Sequence, residues 1–160
     1  MSTIWDQAKQ MELEGKVFYE KAAEESPISQ TKAVFELLAE EEQTHYSLFD
    51  SFSKAEAVEL KDSVIGRSIK EAFQELAPDA VGDVSSAGEA YEKALELEKN
   101  AVAFYTDGLG SCANDAEKKA LEQIITEEKK HVQICESLIE FVSRPGEWLE
   151  NAEFNHLDDY

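Results

Sequence analysis

Two stretches of this sequence place a glutamate and a histidine where a helical core calls for apolar side chains. Stepping at helical spacing gives Phe35, Leu38, Glu42, His45, Phe49 and Phe52, an apolar seam broken in its middle by two polar groups. The same seam returns 86 residues later as Leu121, Ile124, Glu128, His131, Cys135 and Leu138. The match extends beyond the seams. Glu12, Phe18 and Tyr19 fall on Glu98, Phe104 and Tyr105, and Glu41 falls on Glu127. An internal repeat of this length means two copies of one supersecondary unit. An ionised carboxylate in an apolar seam is costly unless something compensates it, so each unit must bring its compensation into the core.

The partner helices carry their own buried-looking acids. One face reads Trp5, Ala8, Glu12, Gly15, Tyr19, Ala22, and its repeat mate reads Tyr91, Ala94, Glu98, Ala101, Tyr105, Gly108. Small residues a turn from each glutamate leave room for other groups to approach it. The interior then collects Glu12, Glu42, His45, Glu98, Glu128 and His131. Four carboxylates carry four negative charges, which two divalent cations neutralise. Oxygen and imidazole donors, charge balance and the two-fold repeat point to a dinuclear metal site, with a Glu from each of two helices and Glu-x-x-His from each of the other two. Positions i and i+3 share a helix face, so each Glu-x-x-His can aim both groups inward. Such a donor set suits iron or manganese better than structural zinc, which favours sites richer in nitrogen and sulfur. Iron is the expected metal because an iron pair can exchange two electrons with peroxide or dioxygen.

Three prolines and seven glycines punctuate the 160 residues, and helical periodicity dominates between them. The pattern predicts a first helix from about Thr3 to Glu25, stopping near Pro27, and a second from after Ser29 to about Ala57. A third opens at Ser86, where Ser86 and Glu89 form a capping-box pattern, and runs to about Leu109. Asn114 and Glu117 repeat that start signal for a fourth, which ends before Arg144-Pro145-Gly146. Helices joined by a few residues form antiparallel hairpins, whereas the link of roughly 28 residues between the two hairpins is long for a compact domain and reads as a crossover. That link includes a short helix around Arg67 to Leu76. The expected fold is all-α: a ferritin-like four-helix bundle over residues 1–143, followed by a C-terminal tail, 144–160, in which Trp148, Leu149 and Phe154 pack on the bundle or on a second subunit.

Several other residues carry plainer readings. Glu153 and His156 repeat the Glu-x-x-His spacing, but outside the repeat and outside any long seam, as a tail or surface feature. Glu14, Glu40, Glu41 and Glu127 belong on solvated faces or one layer out from the ligands. Tyr19 and Tyr105 are either core aromatics or hydrogen-bond donors to the site carboxylates. Cys135, which replaces Phe49 in the repeat, reads as a small buried hydrophobe, and Cys112 as a loop thiol. Two cysteines make neither a disulfide framework nor a rubredoxin or zinc-ribbon set, so a reducing cytoplasm is expected. A net charge of −20 argues against nucleic acid and anionic membranes as partners. No apolar run approaches a membrane span, and the N-terminus lacks a signal-peptide pattern.

The segments ELEGKVFYEKAAEE, LLAEEEQTHYSLF, LELEKNAVAFY and ITEEKKHVQICESL together resemble the rubrerythrin branch of the ferritin-like di-iron superfamily, over about residues 3 to 142. The resemblance implies a di-iron oxidoreductase that cycles between diferrous and diferric states and reduces hydrogen peroxide or dioxygen. Glu12 and Glu98 would be terminal ligands, Glu42 and Glu128 bridging ones, and His45 and His131 would cap one metal each. It also implies a homodimer. The chain departs from the family pattern twice. It has no cysteine set for a rubredoxin-like domain, so electrons are expected from a separate donor such as a rubredoxin-like protein. It also has Ala101, with Gly15 as its counterpart, where rubrerythrins carry an additional glutamate one turn after the third-helix ligand. Iron storage or delivery without turnover is the alternative function, and a purely structural acidic bundle a third.

Overall fold

The computed structural model describes residues 3–26, 28–56 and 87–143. Helix α1 spans Ile4–Glu25, α2 Ser29–Ser53, α3 Ala87–Gly108 and α4 Asp115–Ser143, with a 3-10 turn at Leu109–Ser111 between the last two. Among the described residues there is no strand. The chain is an all-α four-helix bundle. The expected helix at Arg67–Leu76, the Ser86 half of the predicted cap, and the tail with Glu153 and His156 lie outside the described residues.

Local chemistry sets three of the helix ends. Thr3 and Asp6 form a reciprocal capping box on α1: Asp6 N–H donates to Thr3 Oγ1 at 3.2 Å and Thr3 N–H to Asp6 Oδ2 at 2.9 Å. At α4, Glu117 N–H donates to Asn114 Oδ1 at 2.9 Å, as predicted, but the Glu117 carboxylate reaches back to Ala113 N–H at 2.8 Å. The second helix ends earlier than predicted, at Ser53 rather than about Ala57. Ala55 turns left-handed at φ 54, Glu56 N–H donates to Ser51 O, and Ala55 N–H to Phe52 O. This is a Schellman closure, which usually places glycine at the left-handed position. With alanine there, nothing in the sequence announced it.

Neighbouring helices run antiparallel. Lys9 pairs with Asp50 and Lys16 with Gln43 across α1 and α2. Tyr19 reaches Glu98 and Tyr105 reaches Glu12 across α1 and α3. Hence α2 and α3 point the same way. A tight turn cannot join helices so directed, which accounts for the length of chain between the hairpins.

The core is split. One apolar cluster gathers Tyr19, Phe35, Leu38, Tyr91, Cys135 and Leu138, and the other Trp5, Phe49, Phe52, Tyr105, Leu121 and Ile124. Each of the four helices contributes to both clusters and passes through a polar layer between them. On α1 the apolar face ends on Ala23, not Ala22: Ala23 is buried and Ala22 only partly so. A helix of 3.6 residues per turn drifts off strict 3-4 alternation.

Candidate metal centre

The middle layer is built from the six residues the repeat singled out. Glu12, Glu42, His45, Glu98, Glu128 and His131 are all buried, none more than 5% exposed. Their ligand-capable atoms form two overlapping groups. Glu12, Glu42, His45 and Glu128 make one, and Glu42, Glu98, Glu128 and His131 the other, with the atoms of each group within 4.8 Å of one another. Glu42 and Glu128 belong to both.

Both imidazoles turn Nδ1 toward the carboxylates. His45 Nδ1 lies 2.8 Å from Glu128 Oε1 and 3.5 Å from Glu12 Oε1. His131 Nδ1 lies 3.5 Å from Glu42 Oε1, 3.4 Å from Glu98 Oε1 and 3.6 Å from Glu128 Oε2. The tyrosines settle in favour of hydrogen bonding: Tyr19 O–H donates to Glu98 Oε1 at 2.5 Å and Tyr105 O–H to Glu12 Oε1 at 2.6 Å. Each tyrosine thereby ties one hairpin to the outer glutamate of the other. Gly15 permits the packing, because a Cβ there would stand 2.6 Å from Glu42 Oε2. The expectation that small residues make room is met at this position.

Glu127 is placed more specifically than the sequence allowed. It is buried, not solvated, and its Oε2 sits 2.7 Å from His45 Nε2. The sequence offered one clue to it, the doubled glutamate at 127 and 128. That clue had no power to discriminate, since Glu41 and Glu42 show the same doubling and Glu41 is half-buried.

The electrostatics show the strain of this assembly. Burial pushes the Glu42 carboxyl well above the usual carboxylate range, and the charges of Glu12, Glu128 and Glu98 push it further. Glu98 is raised from 4.5 to about 8 by burial and then by Glu128, against the opposing pull of His131. Burial alone would lower both imidazoles, but the charge of Glu12 on His45 and of Glu98 on His131, with other carboxylates nearby, raises both well above the usual histidine value. Burial and mutual repulsion thus favour the protonated forms of Glu42 and Glu98, and the surrounding carboxylates those of both histidines. Glu12 Oε2, Glu42 Oε1, Glu128 Oε2 and both ring nitrogens of His131 are buried without a hydrogen-bond partner among the described residues. Native interiors seldom leave such atoms unsatisfied. These orphaned donors to a metal, converging in two groups that share two carboxylates, fit a pair of cations.

A cleft of about 220 Å³ between α1 and α3 is lined by Gly15, Tyr19, Glu42, Glu98, Ala101 and Tyr105, with Glu14 and Asn100 among its polar residues. Gly15 and Ala101, which occupy equivalent positions in the repeat, both border it.

Antiparallel helices around a buried layer of four glutamates and two histidines define a ferritin-like carboxylate bundle. A scan against protein-family models matches Rubrerythrin over residues 4–139, and the chain belongs to the rubrerythrin family. That family implies a di-iron site, for which the two overlapping groups are the candidate ligands. Neither the search of curated proteins nor that of solved structures returned a match. No described helix is long and apolar enough to cross a membrane.

Proposed function

We propose that the chain binds two iron ions in its middle layer and reduces hydrogen peroxide or dioxygen with electrons from a separate donor protein. The observation that carries this reading is the overlap of the two four-residue groups through Glu42 and Glu128. In this reading Glu12 and His45 would hold one ion, Glu98 and His131 the other, and Glu42 and Glu128, common to both groups, would serve both. Bound iron would supply the two electrons that reduce one peroxide, with two protons, to two waters.

The chain's own groups prepare that chemistry. Tyr19 and Tyr105 fix the orientation of Glu98 and Glu12 by donating to one oxygen of each, leaving the other oxygen of Glu12 unpaired. Apolar clusters above and below the layer exclude water and strengthen every charge interaction within it. The cleft between α1 and α3 offers a small oxidant a way to the face that Glu42 and Glu98 present.

The test is an anaerobic Fe(II) titration of metal-free protein, then peroxide with absorbance recorded, then peroxide consumption with a reductant. Saturation at two irons per chain, ferric absorbance on adding peroxide, and sustained consumption are expected. Glu42→Ala and Glu128→Ala each remove a shared carboxylate and should lose the pair of ions altogether. If either variant keeps two ions per chain, the ligand assignment is wrong. Saturation without turnover would instead favour storage or delivery.

A further inference from the structure

The repeat makes the two halves of the site alike in sequence, yet the structure treats the two histidines differently. His45 Nε2 faces the buried Glu127 carboxylate at 2.7 Å. His131 Nε2, the equivalent atom, is buried and has no hydrogen-bond partner among the described residues. Both rings offer Nδ1 to the carboxylate cluster. The difference therefore lies behind the rings, on the side away from the shared glutamates.

Building on the two-metal reading above, we propose that Glu127 is a positioning residue that makes the two metal positions unequal, with the His45 position the tighter and first filled. A carboxylate accepting from Nε2–H keeps the proton on that nitrogen, which leaves Nδ1 as the lone-pair donor. It also fixes the ring plane and makes the imidazole a stronger base toward a cation. His45 has its ring plane and its Nε2 contact fixed before any metal arrives, so only the proton on Nδ1 has to leave. His131 has no such acceptor among the described residues, so its ring must settle tautomer and orientation as the metal binds, and its affinity bears that cost. Glu127 also adds a negative charge within reach of the first position. Removing a carboxylate that orients a ligating histidine typically lowers metal affinity about 10- to 100-fold.

The consequence for function is an ordered site. An oxidant that needs both electrons at once would meet a competent pair only after the His131 position fills. At limiting metal the chain would then hold one ion, not half a population of pairs.

Anaerobic calorimetric titration with Co(II) tests this, because it reads affinity and not turnover. The unsubstituted chain should show two resolved steps. Glu127→Gln, which keeps size and shape, should weaken the tighter step about 10- to 100-fold and leave the other where it was, while Glu41→Gln should change neither. Proton spectra of the Co(II)-loaded chain give a second reading that needs no variant. One hyperfine-shifted imidazole N–H, that of His45, should exchange slowly and the other fast, and Glu127→Gln should abolish the protected signal. Two equally protected N–H signals, or equal weakening of both steps in Glu127→Gln, would overturn the proposal and leave the two-metal reading standing. Failure of the unsubstituted chain to bind Co(II) in stoichiometric amounts would overturn both.

Discussion

Gly15 is where a single hydrogen atom decides the site. Helical propensity alone favours alanine there by roughly 0.5–1 kcal/mol. The structure opposes it, since an added methyl would meet the Glu42 carboxylate at 2.6 Å. Glu42 is a flexible side chain, so the backbone need not move and the carboxylate yields instead. Gly15→Ala should therefore leave the metal-free fold as stable as before, or slightly more so, and cost at least about tenfold in metal affinity, the scale on which disturbed ligand geometry acts. Melting of the metal-free variant beside a metal titration separates the two effects. Unchanged affinity would mean Glu42 reaches its ligand position by another rotamer. Sequence comparison of the two faces, Gly15 against Ala101, marked both positions as small but could not show which one a carboxylate needs. Ala55 teaches the opposite lesson: its left-handed φ of 54 closes α2, and no glycine signalled it.

At the scale of helices, the crossed tyrosine bonds join α1 to α3 across the polar layer, as His45 joins α2 to α4 through Glu127 and Glu128. Tyr19 on α1 donates to Glu98 on α3, and Tyr105 on α3 donates to Glu12 on α1. Apolar contacts alone could let the hairpins slide, because either cluster tolerates small shifts of similar side chains. Directional bonds to buried carboxylates fix the register. Tyr105→Phe keeps the ring and its packing on Phe49, whose centroid lies 5.0 Å away, but strips a buried Glu12 oxygen of its donor. The metal-free chain should lose about 1–3 kcal/mol, the penalty for an unsatisfied buried polar group, measured as a shift of the urea midpoint at constant slope. A loss below about 0.5 kcal/mol, typical of surface changes, would show that Glu12 takes up its proton or another partner without penalty. The sequence placed both tyrosines two turns from a glutamate on the same helix. The partner in each case sits on the other hairpin, a distinction that helical spacing cannot make.

For the whole molecule, pH and metal act through one set of groups. Glu98 is raised from 4.5 to about 8, so between those values the folded metal-free chain keeps a proton that the unfolded chain has released. Stability from that group falls as pH rises through the window. His45 and His131 are raised as well; what they contribute is fully present below the unfolded histidine value of 6.5 and is lost as pH climbs through their folded values. Both work in one direction. Glu128 is lowered by hydrogen bonds from its neighbours despite burial and the charge of Glu12, and its opposing effect is confined to pH below 4.5. The metal-free protein should melt lower at pH 8 than at pH 5. High salt, which screens the surface of a chain with net charge −20, should not erase the difference. Metal binding displaces those protons, so the rise in melting temperature on adding metal should grow with pH. A metal-free chain that melts higher at pH 8 would contradict the assignment of protons to the middle layer.

The bundle, its hairpins and the six residues of the buried polar layer were legible in the chain because they rest on periodicity and repetition, which are properties of order along a line. A buried charge in an apolar seam stands out against its neighbours, and an 86-residue echo makes it stand out twice. What the line could not carry was any relation between residues that meet only when helices pack. Glu127 and Glu41 are equals in the sequence; one lies against His45 and the other is half-buried, because the two hairpins are not perfect copies of each other in space. The pairing of each tyrosine with the opposite hairpin, the close approach of Glu42 to Gly15 and the division of the core by a polar layer arise the same way. Each is a distance of a few ångströms between atoms far apart in sequence, and only the packed fold assigns it.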